Sequence, residues 1–145
     1  MDAMRGKKKG KGASGVRVLA GGVFNIVHPG HVHFLKKAKE LGEELVVVVA
    51  SDRTVLRRGK RLLFPAAIRA ETVRALRFVD KAVIGDDEDF SKVVRQQKPD
   101  VIAIGYDQDE APVRELLQRP GLCTGCRVVR IGLLKGYSTK DITGG

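Results

Sequence analysis

Only two cysteines, Cys123 and Cys126, occur in the 145 residues, too few for the disulfide framework that holds small secreted domains together. Long hydrophobic runs are missing as well. The longest, at residues 45–50, falls far short of the ~20 residues needed to cross a bilayer, which excludes a helical membrane span. Arg17 interrupts the one early apolar stretch that could serve in a secretory signal, so a cytoplasmic location is expected. Acidic residues are scarce beside basic ones, 17 against 27, and the formal net charge is +10. What is present is a globular mixture. With 43% hydrophobic and 30% charged residues the chain is not globally disordered, and its length suits one domain with a sizeable core.

The charge is uneven. Residues 1–14 hold Arg5, Lys7, Lys8, Lys9 and Lys11 against Asp2 alone, with almost no large apolar side chains, and read as a basic disordered tail ahead of a domain over 15–145. Such a tail touches nucleic acid in some proteins, but five charges give only weak, salt-sensitive binding, and nucleic acid is not an expected partner.

From Val16 onward, short apolar runs alternate with amphipathic stretches, with no internal repeat. The pattern predicts strands at 16–20, 45–50, 81–84, 101–104 and 127–131. It predicts helices at 31–41, 65–78, from Asp89 to Lys98, and from Asp109 through Leu117, with Gly21-Gly22 ending the first strand and Gly42 the first helix. This alternation implies right-handed βαβ units: a single Rossmann-like α/β domain with a five-stranded parallel sheet and helices on both faces. Ligands of such sheets bind beyond the carboxyl ends of the strands, where the strand order reverses.

The stretch from Gly21 to His31, reading GGVFNIVHPGH, follows the first strand and opens the first helix, and all three histidines fall between His28 and His33. Glycines admit a ligand close to the backbone, and a helix start near Gly30 would offer unpaired N–H groups and a positive dipole end to an anion. His28 and His31 can face that spot together, as imidazolium donors to a phosphate in flight. His33 is expected to point elsewhere on the helix. No cysteine or acid stands at ligand spacing within the segment, so no metal site is expected from the three histidines. Asp52 and Asp107 follow strands at their carboxyl ends, with a loop cap as the plainer role for each. Cys123 and Cys126 have redox-motif spacing but no adjoining helix start. They are expected to be reduced thiols near the site, with a disulfide or a shared zinc as the alternatives.

His28-Pro29-Gly30-His31 after Gly22-Val23-Phe24-Asn25 resembles the HxGH signature of the cytidylyltransferase-like nucleotidyltransferases, which join a nucleoside triphosphate to a phosphorylated acceptor and release pyrophosphate. The likeness continues over most of residues 16–143: Lys60 in the loop where the family has a phosphate-binding lysine, Arg69, Arg77 and Val79-Asp80 in the second-helix stretch, residues 98–108 through Gly105, Tyr106 and Asp107, and Ser138-Thr139 in the terminal motif. Within the family, Gly-Tyr-Asp-Gln after the fourth strand and the Cys pair before the fifth are most similar to the archaeal-type FAD synthases. The resemblance implies transfer of AMP from ATP to FMN, with Mg²⁺ or another divalent cation accompanying ATP, and a homodimer. It implies His28, His31 and Lys60 as catalytic groups. Val23, Phe24, Asp52, Arg69, Arg77, Gly105, Asp107, Ser138 and Thr139 would join the two histidines in binding the nucleotide. Two features depart from the family pattern. Val23 and Asn25 stand where Thr and Asp are usual, leaving backbone N–H donation at Val23 and Phe24, and Leu133 lies near a usual Arg, so Lys135 or Lys140 would serve the phosphates. The same fold with CTP and glycerol 3-phosphate, or a nucleotide- or nucleic-acid-binding module without catalysis, are the alternatives.

Overall fold

The β-branched run beginning at Leu45 builds a strand buried on both faces, as its lack of alternation requires. A computed structural model describes residues 15–123 and 125–132. It contains five strands, β1 (Arg17–Gly22), β2 (Glu44–Val49), β3 (Lys81–Ile84), β4 (Val101–Ile104) and β5 (Arg127–Arg130), and five helices, α1 (Pro29–Lys39), α2 (Asp52–Arg57), α3 (Ala66–Arg74), α4 (Phe90–Gln97) and α5 (Ala111–Leu117). All strand pairs are parallel, in the order β3-β2-β1-β4-β5. The chain winds outward from β1 to β3, returns to the other side of β1 and winds outward again. The order therefore reverses between β1 and β4, and a crevice opens there at the carboxyl edge.

Side-chain parity sorts the core into two clusters. Val18, Ala20, Leu45, Val47, Val49, Val101 and Ala103 point to one face, where they meet Leu35 and Ala38 of α1 and Ala70 and Val73 of α3. Leu19, Val46, Val48, Ile102 and Ile104 point to the other, against Val93 and Val94 of α4 and the partly buried Leu116 and Leu117 of α5. One residue of slip would exchange the faces, so the parity holds the register. The opposite, amino-terminal edge is closed by polar ties. Asp80 accepts from Lys39 and from the Leu45 N–H, Asp100 accepts from the Arg17 N–H, and Arg17 pairs with Glu44.

Three elements differ from the sequence expectation. The first strand does not stop at Ala20, because Gly21 and Gly22 stay in register with Val48 and Val49. A short helix, α2, stands where none is predicted, started by Ser51 accepting from the Thr54 N–H and burying only Val55. The helix predicted to reach Phe78 stops at Arg74. The chain must turn there for the Asp80 N–H to reach the Leu45 carbonyl and begin β3.

Candidate active site

Beyond β1, Phe24 takes a left-handed conformation (φ 55°) and folds its buried ring back over Gly22. A Cβ at Gly22 would lie 2.9 Å from that ring, so the glycine is what allows the turn. The Phe24 ring meets His31 edge-on at 5.1 Å. His28 begins α1 as its N-cap: its Nδ1 accepts from the Gly30 N–H at 3.1 Å, and Nδ1 of His31 accepts from the His28 N–H at 3.3 Å. The two rings are stacked with centroids 3.8 Å apart.

This arrangement corrects two expectations. The start of α1 is not a row of open N–H groups. Pro29 has none, Gly30 donates to the His28 ring, and His31 and Val32 donate to the His28 carbonyl. Nor are the rings drawn as a pair of imidazolium ions. A ring nitrogen that accepts a hydrogen bond carries no proton, so the heavy-atom pattern makes Nδ1 the acceptor in each ring and leaves Nε2 as the donor. Burial, and next the charge His28 would carry, push the His31 pKa from 6.5 down to about 4, while the Ile26 carbonyl works the other way. His31 is a neutral donor at pH 7. His33 is not wholly apart from the pair, since it lines with His28, Val32 and Lys36 an open recess of about 530 Å³.

The loop is braced from behind. Arg69 is buried, with Nε donating to the Phe64 carbonyl (2.7 Å), Nη1 to the carbonyls of Val23 (2.9 Å) and Ala50 (2.8 Å), and Nη2 to Asp52 Oδ1 (2.7 Å). The same Asp52 oxygen accepts from the Ala66 N–H at the start of α3. Arg69, fully buried, thus holds the segments around the site rather than reaching into it, which corrects its expected contact with a nucleotide, while Asp52 braces through Oδ1 and keeps 44% of its side chain exposed. Asn25 is a second brace, not singled out from the sequence as one: its amide donates to the Arg61 carbonyl (2.6 Å) and accepts from the Leu63 N–H (3.2 Å). The signal available was that a loop Asn carries both a donor and an acceptor.

Lys60 is exposed in the loop after α2, on the carboxyl side of the sheet. Gly105 and the exposed Asp107 follow β4 across the crevice. That loop is tied by the Gly105 N–H to Gln108 Oε1 (2.6 Å) and by Arg130 to the carbonyls of Gly105 and Tyr106. Arg130, on the last strand, was not anticipated. Arg77 is not brought to the site: it lies in the turn between α3 and β3, at the amino-terminal edge. Ser138, Thr139, Lys135 and Lys140 lie outside the described residues.

The cysteines are also corrected. Cys123 and Cys126 are joined as a disulfide, with Cα atoms 5.9 Å apart, inside the range a bridge requires. They sit against the Pro99 carbonyl, just before β4, and therefore at the sheet edge opposite the histidines, because the loop entering a parallel strand approaches from its amino end.

With this geometry described, comparison with known proteins adds the following. The family model described as Cytidylyltransferase-like matches residues 19–142. A protein of Archaeoglobus profundus named FAD synthase is 49% identical over 118 residues, covering 80% of this chain and 74% of that protein. One of Thermoplasma acidophilum with the same name is 45% identical over 123 residues, covering 83% and 85%. The crystal structure of a Thermoplasma volcanium protein, described as a lipopolysaccharide core biosynthesis protein, superposes with a TM-score of 0.78 at 42% identity over 83% of this chain and 99% of that one.

Proposed function

The chain belongs to the cytidylyltransferase-like family, and from that premise we infer that it is an FAD synthase, an adenylyltransferase that moves AMP from ATP to FMN and releases pyrophosphate. The observation that carries the reaction class is the stacked pair His28 and His31, held as the cap of α1 beside the point where strand order reverses.

An oxygen of the FMN phosphate attacks the α-phosphorus of ATP, a new P–O bond forms, and the bond to the oxygen bridging toward the β-phosphorus breaks with pyrophosphate leaving. No covalent bond to the protein is needed, so positioning and charge stabilisation supply the rate. In this reading the Nε2–H group of His28 donates to a phosphate oxygen as negative charge shifts onto the leaving group, and His31 exchanges the Ile26 carbonyl for a second phosphate oxygen. Their Nδ1 atoms are engaged by backbone N–H groups, so the donors keep their direction during the step. The backbone at Val23 and Phe24 completes that wall, Gly105 and Asp107 form the facing one, and Lys60 with Ser138 and Thr139 grips the outer phosphates. Among the described residues no group of three or more His, Cys, Asp or Glu side chains is placed to cage a metal. A divalent cation, Mg²⁺ on the family likeness, would accompany ATP and offset the charge of its phosphates. No described helix is long and apolar enough to cross a membrane. A cytoplasmic homodimer is the assembly we propose on the family likeness.

The test is a product assay. Purified protein with ATP, FMN and Mg²⁺ should form FAD and pyrophosphate, resolved by chromatography; turnover of CTP with glycerol 3-phosphate, and none of ATP with FMN, would reassign the substrates.

A further inference from the structure

We infer that residues 61–68 form the platform for the flavin ring, with Leu63, Phe64 and Ile68 receiving the apolar isoalloxazine while Arg58 and Arg61 before them face the phosphate of FMN. This rests on the FAD synthase reading.

The first observation is exposure in an unusual place. Leu63, Phe64 and Ile68 are 44%, 47% and 47% exposed, and Ile26 is 55% exposed. Asn25, next to Ile26, bonds to the backbone of Arg61 and Leu63, so these side chains belong to one neighbourhood rather than being scattered singly.

The second observation is that the backbone beneath them is held. The Arg61 carbonyl and Leu63 N–H are taken by Asn25, and the Phe64 carbonyl by Arg69, which also holds Val23. Both ends of the Leu63-Phe64 step are thus fastened to the loop that leads into His28. A loose surface loop has neither tie. Fixed backbone under uncovered apolar side chains is the arrangement a flat ligand needs, because little ordering remains to be lost on binding.

Charge selects the occupant. No carboxylate occurs between Arg53 and Ala70, and Arg58 and Arg61 stand exposed just before the apolar step, on either side of the Lys60 assigned to the outer phosphates of ATP. FMN pairs a large apolar ring system with a phosphate dianion, matching that order of cations and apolar side chains. Phe64 supplies a face for offset stacking. The adenine of ATP is smaller and more polar, and it is the base alone that is expected on the other side of the histidines.

The measurement is steady-state kinetics of the full chain with ATP and FMN varied separately. Phe64→Ala should raise KM for FMN about tenfold, the scale of losing one stacking contact, with KM for ATP unchanged. Phe64→Trp should restore it, and Ile68→Ser should move KM for FMN in the same direction as Phe64→Ala. Titration of FMN fluorescence with wild-type protein should show quenching that Phe64→Ala weakens. Wild-type FAD formation with an unchanged KM for FMN in Phe64→Ala overturns the platform alone, whether the variant instead raises KM for ATP or splits a dimer in sedimentation. A wild-type chain that neither makes FAD nor quenches FMN overturns the acceptor assignment, and the platform with it.

Discussion

At the residue scale the chemistry turns on where two imidazole protons sit. His28→Ala removes both a helix cap and a donor, so it confounds stability with catalysis. His28→Asn separates them: Asn is among the best N-caps and keeps α1, yet it cannot reach as far as Nε2. We expect His28→Asn and His31→Ala each to lower kcat by about 10²-fold or more while His33→Ala does far less, with circular dichroism reporting the fold. Equal losses in all three would remove the pair from the phosphates. A second expectation follows from the lowered pKa of His31. The unfolded chain binds a proton there below about pH 6.5 and the folded one only near 4. Stability from this group is therefore present above pH 6.5 and lost as the pH falls toward 4, by at most about 3 kcal/mol. Urea midpoints between pH 7 and 4 should fall more steeply for wild type than for His31→Ala; parallel curves would refute the neutral assignment. The HxGH spacing was enough to locate these residues. It did not reveal their charge state, because desolvation and ring stacking depend on Phe24 folding over Gly22, a tertiary event that spacing does not record.

At the scale of elements, Arg69 and Arg77 lie eight positions apart in one basic, Ala-rich stretch, and only the fold tells them apart. Arg69 points inward and bonds four partners on three segments; Arg77 follows the turn out of α3 and is exposed. Arg69→Ala leaves three carbonyls and an aspartate without their donor, and we expect a loss of about 3–5 kcal/mol in denaturant unfolding. Arg77→Ala should stay within about 0.5 kcal/mol, as surface changes do. A mild Arg69→Ala would mean that the first loop is held by Asn25 alone. The same contrast shows what the sequence made legible. Strands appear within a residue or two of their predicted places, β2 and β4 because their apolar runs are buried on both faces, and the Gly21-Gly22 overrun of β1 reflects ladder pairing with Val48 and Val49. Helix α2 escaped because six residues with one buried side chain, Val55, carry no period. The end of α3 was overestimated because Leu76 and Phe78 keep a helical spacing while packing on the core from a turn. Arg130 and the bracing role of Asn25 are not legible in the sequence, because both hold main chain, and a main-chain partner leaves no mark in a side-chain pattern.

At the scale of the whole molecule the surplus of basic residues acts on the traffic of substrates. ATP, FMN and pyrophosphate are all polyanions, and the chain carries a formal +10. Such a field raises encounter rates with anions and is screened over about 10 Å at 0.1 M salt. It therefore acts on kcat/KM for ATP, which contains the approach, more than on kcat, which reports steps after the substrate is bound. We expect kcat/KM for ATP to fall steadily as KCl is raised while kcat changes little. Residues 1–14 supply five of the cations and one acid, with Met1 and Met4 as their only large apolar side chains, a composition from which we expect charge rather than core. Deleting them should leave the unfolding midpoint and kcat at saturating substrate unchanged and make the salt dependence of kcat/KM shallower. A loss of kcat on deletion would mean that the segment reaches the reacting phosphates. An unaltered salt slope would mean that steering comes from the cations fixed on the folded domain, with Lys60, Arg61 and Lys36 around the histidines the groups to neutralise next.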